Sequence, residues 1–140
     1  MTMDAIKDVW FDNNRIYIKL ADGMTYNRPL EAFPTLMDAT NEQRNAYEIN
    51  RFGDAIRWRQ LDEDIHVSSF QETTEPCKDN KVAHIFQQFP WLNITEVARM
   101  MNVHKSVLQS YIYGMKEPSS ERMKMLRETL HLMGAKMMSA

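Results

Sequence analysis

From Asn93 to Ser119 the chain reads NITEVARMMNVHKSVLQSYIYGMKEPS, a pattern that points to two short helices joined by a tight turn. Asn93 stands where an N-cap belongs, with Glu96 three residues on, an Asn-x-x-Glu variant of the capping box. Val97, Ala98 and Met101 mark one apolar face, and Ala98 supplies the small side chain wanted where two helices cross closely. Asn102 follows at the turn, where a residue tolerant of left-handed backbone is needed, and Val103 plugs the turn into the core. A second helix is expected from about Lys105 to Tyr113. Its register turns Leu108, Tyr111 and Ile112 inward and Lys105, Ser106, Gln109 and Ser110 outward. Gly114 ends it as the residue after the C-cap, and Pro118-Ser119 opens the next segment.

These residues resemble the lambda-repressor-like (Cro/C1-type) helix-turn-helix family. Its members carry a Leu-Ala helix, a Gly-Val-Ser turn, a recognition helix followed by Gly, and a Pro-Ser opening to the next helix. Val97-Ala98, Asn102-Val103-His104, Gly114 and Pro118-Ser119 fill those positions here. The departures are Asn102 for the turn Gly, His104 for the capping Ser or Thr, Ile94 for a Gln that contacts phosphate, and Ile112 for a frequent Glu. The resemblance spans roughly residues 80 to 134 and implies an all-α domain with duplex DNA as its partner.

At 140 residues the chain is long enough for one ordinary domain or two small ones. A content of 44% hydrophobic and 26% charged residues is that of a globular chain. No apolar run approaches the length needed to cross a bilayer, and MTMDAIKDVW lacks a basic-then-apolar signal pattern. A cytoplasmic protein without membrane contact is therefore expected. The single cysteine, Cys77, lacks an internal disulfide partner and is expected as a linker thiol. Charge is unevenly divided. Residues 1–75 hold 8 Lys and Arg against 14 Asp and Glu, a net of −6, whereas residues 76–140 hold 9 against 5, a net of +4. The basic half carries the two-helix pattern, as a nucleic-acid-binding module would.

The acidic half alternates like a sheet. Ile6–Phe11 is β-rich, Asp12-Asn13-Asn14 suits a hairpin turn, and Arg15–Leu20 alternates strictly. Asp22-Gly23 is a second hairpin turn leading into Met24–Arg28, so an antiparallel three-stranded meander is expected. Pro29 should stop the ladder. A helical turn over Leu30–Phe33, a helix capped by Thr40 and running through Glu48, and a strand around Ala55–Trp58 follow, with Gln60–Val67 closing the module. The stretches DGMTYNRPLEAFPTL, ATNEQR and IRWRQLDEDIHV are similar to a family of small bacterial domains of unknown function marked by an Asp-Gly turn, PLxxFPxL and WxxLDEDI. That resemblance covers about residues 5 to 70. It implies an arrangement with a C-terminal lambda-repressor-like domain and, because some members lie beside small toxin-like proteins, a role as an antitoxin. The expected organisation is an α+β domain over 1–70, a polar Pro-containing linker over 71–80 and a helix-turn-helix domain over 81–140.

Asp62, Glu63, Asp64 and His66 lie at consecutive extended positions that face alternately, which suits a solvated turn better than a metal cluster. His84, His104 and His131 lack metal-ligand spacing. With no GxSxG, no glycine-rich phosphate loop and no supported Cys/His pair, neither enzymatic activity nor a metal or cofactor is expected. Trp10, Phe33, Trp58 and Phe70 are expected as core or domain-interface aromatics; Arg57 and Arg59 beside Trp58 are the one hint of a base-stacking face. Met123, Leu126, Leu130, Met133 and Met137 form a helical stripe whose second half exceeds the needs of the core and suits a homodimer seam.

The expected function is sequence-specific DNA binding in transcriptional regulation. Lys105, Ser106, Gln109 and Ser110 are the base-edge candidates, Lys for guanine and Gln for adenine, while Asn93, Tyr113 and Lys116 are placed for phosphate. The first domain would bind a protein partner, a toxin in the antitoxin case, or mediate dimerisation. The alternative is a protein-interaction adaptor whose helix-turn-helix is structural only.

Overall fold

The order of elements follows from two hairpin turns in the first half and four capped helices in the second. A computed structural model describes residues 4–140. The chain divides into two compact units, the first ending at Glu75 and the second running from Pro76 to Ala140.

In the first unit, β1 (Ile6–Asp12), β2 (Arg15–Leu20) and β3 (Thr25–Pro29) form the expected antiparallel meander. Asn13 and Asn14 both have positive φ, as the tight turn joining two right-twisted strands requires. The register slips by one residue between Ile6 and Asp8, so Lys7 is the extra residue of a bulge. That bulge explains why Ile6 and Val9, three apart, are both buried. Pro29 still pairs with Arg15, as the last residue of an edge strand. Beyond a helical turn at Leu30–Ala32 come α1 (Pro34–Met37) and α2 (Asn41–Asn45).

Thr40 caps α2 with a complete capping box: its hydroxyl accepts from the Gln43 amide, and the Gln43 side chain accepts from the Thr40 amide. The helix is shorter than its sequence suggests. It ends at Asn45 because β4 (Glu48–Ile49) pairs with β5 (Ala55–Trp58), and β5 pairs with β6 (Glu63–His66). A second three-stranded sheet thus stands where the sequence suggested one small sheet. The core of this unit joins Ile6, Val9, Ile16, Ile18 and Leu20 to Leu30, Leu36, Ile56, Trp58, Ile65, Val67 and Phe70. Trp10 does not join it: it stacks on its cross-strand partner Tyr17 on the outer face, ring centroids 5.5 Å apart. Arg57 is held by Asp62 and Asp64, and Arg59 by Glu48, so these arginines are spent within the unit rather than arrayed for base stacking.

The second unit is all-helical: α3 (Lys81–Gln88), α4 (Ile94–Met100), α5 (Lys105–Ile112) and α6 (Ser120–Met138). Its core is Val82, Val97, Ala98, Met101, Leu108 and Leu126. Met123, Leu130 and Met133 pack around it, whereas Met137 is exposed, so the α6 stripe outlasts the core it serves. No helix among the described residues is long and apolar enough to cross a membrane. The segment expected as a linker is held at both ends. Gln71 closes a helical turn from Val67 and Glu75 accepts two hydrogen bonds from Arg15, while Cys77 donates its amide to the Tyr113 carbonyl and Asn80 caps α3.

Candidate nucleic-acid interface

Two matching helix ends build the region around α5. At the end of α4, Asn102 takes a positive φ of 58°, its amide donating to the Arg99 carbonyl while Val103 donates to Ala98. At the end of α5, Gly114 takes a φ of 73°, its amide donating to Tyr111 while Met115 donates to Ser110. Both are complete Schellman motifs, which satisfy the last carbonyls of each helix and turn the chain sharply. Asn102 therefore does at the first turn what Gly114 does at the second.

The N-terminal caps are side chains of less usual kinds. Asn93 accepts from the Glu96 amide at 3.2 Å, but Glu96 does not complete the box; its carboxylate pairs with Arg99 at 2.9 Å. His104 caps α5 through its ring, Nδ1 accepting from the Ser106 amide at 3.1 Å and lying 2.8 Å from the Ser106 hydroxyl. Accepting from the amide requires Nδ1 to be unprotonated.

The expected outward face of α5 is only partly outward. Gln109 is 5% exposed and Ser110 6%, so neither can reach a base edge as the sequence suggested. The physical reason is that α5 is enclosed on several sides. It packs against both α3 and α4, and residues 77–80 hydrogen-bond its final carbonyls through the Cys77 amide and the Asn80 side chain. Successive residues are about 100° apart around a helix. Burial of Leu108, Gln109 and Ser110 in a row therefore takes up roughly 200° of its circumference. Ser110 turns its hydroxyl onto the Val107 carbonyl at 2.7 Å. We expect Gln109→Ala to lower stability by about 1–3 kcal/mol, as loss of a buried polar group does. It should leave any selected DNA motif unchanged; thermal unfolding and sequence selection on the same variant check this.

What remains accessible lies at the two ends of α5. At its start, His104 and Asn102 are exposed and Lys105 and Ser106 are half-buried. At its finish, Lys116 is exposed and Tyr113 is half-buried, with Lys78 Nζ 5.6 Å from the Tyr113 ring centroid. Asn93 is exposed at the start of α4. Of the four base-edge candidates, Lys105 and Ser106 thus stay accessible, and Lys78 lies over the Tyr113 ring, a neighbour that no spacing could have linked to Tyr113 from so far upstream in the sequence.

Comparison with known families separates the two units. Residues 6–71 match the family described as a protein of unknown function, DUF2442. The matched stretch ends at the helical turn that closes the first unit's core, so it covers both sheets and stops before Glu75. No curated protein and no solved structure matches the chain.

Proposed function

We propose that this chain is a sequence-specific DNA-binding regulator whose second unit is a lambda-repressor-like helix-turn-helix that presents the start of α5, rather than its length, to the major groove. The observation that carries the reading is the α4–Asn102–α5 junction, with Ala98 buried in the core and Lys105 and Ser106 at the leading end of α5. Helices of this class contact base edges with their N-terminal residues while neighbouring elements meet the backbone. Lys105 and Ser106 then read bases, and Asn93, Tyr113, Lys116 and Lys78 meet phosphates. A homodimer formed along the exposed end of α6 would place two such helices in half-sites about 34 Å apart. The acidic DUF2442 unit takes the protein-partner role, and a toxin as that partner would make the chain an antitoxin.

The burial of α5 supports the alternative, a protein-interaction adaptor. Every residue of α5 is buried or half-buried, while Trp91 is 64% exposed and packs edge-on to Phe89. Salt dependence separates the two. Binding of the full chain to a genomic fragment library should weaken linearly on a log–log salt plot, with a slope set by a handful of neutralised phosphates. Lys116→Ala should lower that slope by about 1 for all sequences alike. A flat salt response, or no binding at low salt, favours the adaptor.

A further inference from the structure

Among the described residues Arg28 is the only charged side chain that is buried. Its position is dictated by register: on β3 it sits opposite Ile16, on the face that Tyr26 shares opposite Ile18, so strand alternation points a guanidinium into the core. Charges in such positions are ordinarily paired and hydrogen-bonded. Arg28 is only loosely paired. Its side chain is 4% exposed, its Nε has no hydrogen-bond partner, and the carboxylate that pairs with it, Glu75, lies 3.9 Å from Nη1. Glu75 is itself committed to Arg15, accepting from Nη1 at 2.6 Å and Nη2 at 3.1 Å. That contact holds the Glu75 carboxyl below its ordinary range, while burial pushes Arg28 down and Glu75 and Glu72 pull it up. Beside these groups a cavity of about 380 Å³ stays open with Glu75 in place, lined by Arg15, Tyr26, Asn27, Arg28, Phe70 and Thr73 among others. Its volume falls within the range of small-ligand sites, and it combines aromatic walls with a few convergent polar groups.

We propose that Arg15 and Arg28 form an oxyanion-binding site in the first unit, filled from within the chain by Glu75 and able to take the carboxylate or phosphate group of a small external ligand seated in this cavity. The ligand oxyanion accepts from Arg28 Nε and competes with Glu75 for Arg15, as forked guanidinium donors favour. Because Glu75 is the last residue of its unit, an occupied site frees the segment that Glu75 now holds.

The test follows the arginine Nε–Hε resonances of the full chain during titration with inorganic phosphate and, separately, with succinate, against chloride at equal ionic strength. A saturable shift of Arg28 with either oxyanion and not with chloride is expected, and which one saturates tells phosphate from carboxylate. Glu75→Gln should tighten the apparent Kd by about tenfold, the factor regained if the open state is populated about a tenth of the time. Arg28→Gln should abolish saturation; if that variant does not fold, the Glu75→Gln comparison decides alone. Absence of a saturable shift in both the natural chain and Glu75→Gln, or an affinity that Glu75→Gln leaves unchanged, overturns the proposal.

Discussion

Gly114→Ala is expected to destabilise the second unit by about 2–4 kcal/mol, the joint cost of a strained left-handed residue and of a displaced backbone. Gly114 has a φ of 73°, and a Cβ added there would collide with the Cys77 carbonyl oxygen. That oxygen belongs to backbone rather than to a flexible side chain, so residues 77–80 must move away from α5. The Cys77–Tyr113 and Asn80–Ile112 hydrogen bonds would go with them. Gly23 is the matched control: its φ is 89° but nothing lies within 4 Å of an added Cβ. Gly23→Ala should therefore cost only the backbone strain, about 1–2 kcal/mol. Equal losses for the two variants in urea unfolding, followed at residues of each unit, would show that the packing of the segment on α5 contributes little.

Trp58→Ala should cost the first unit about 3–5 kcal/mol, the range for removing a fully buried large aromatic. Trp58 is fully buried, lies 6.5 Å from the Tyr47 ring, and donates Nε1–H to the Arg44 carbonyl at 2.9 Å. Arg44 in turn donates to the Leu36 and Met37 carbonyls at 2.7 and 2.6 Å. One indole thus ties β5 to both short helices, and its loss leaves a cavity and an orphaned carbonyl together. Trp58→Phe keeps much of the volume and removes only the donor, so it should cost about 1–3 kcal/mol. Near-equal losses for Ala and Phe would mean that the hydrogen bond, not the volume, dominates.

How much was legible in the sequence depended on whether a residue's own chemistry marks its place. Ile16, Ile18 and Leu20 announce their strand by alternation, and Thr40, Asn93, Gly114 and Ser119 mark helix boundaries that the structure observes. The bulge at Lys7 has no such mark, because it arises from pairing with a distant strand. The early end of α2 has the same origin: Glu48 and Ile49 follow a helical pattern but pair with Arg57 and Ile56. At the candidate site, apolar periodicity located Leu108 correctly, but Gln109 and Ser110 are polar residues that the packing of α5 encloses. Hydrophobic patterning records apolar burial only and cannot see them. Arg28 lay within reach of alternation, opposite Ile16, yet a charge in a core-facing position reads as an edge residue until its burial is known.

The central proposal is that the start of α5 reads DNA sequence, and selection of bound duplexes from a random library tests it most directly, with the natural full chain and Lys105→Ala compared on folded protein. An enriched motif is expected for the natural chain and, in Lys105→Ala, a preference relaxed at one base position, with binding weakened by about 1–3 kcal/mol, the worth of one good base contact. No enrichment from the natural chain, or a motif unchanged at every position in Lys105→Ala, would contradict it.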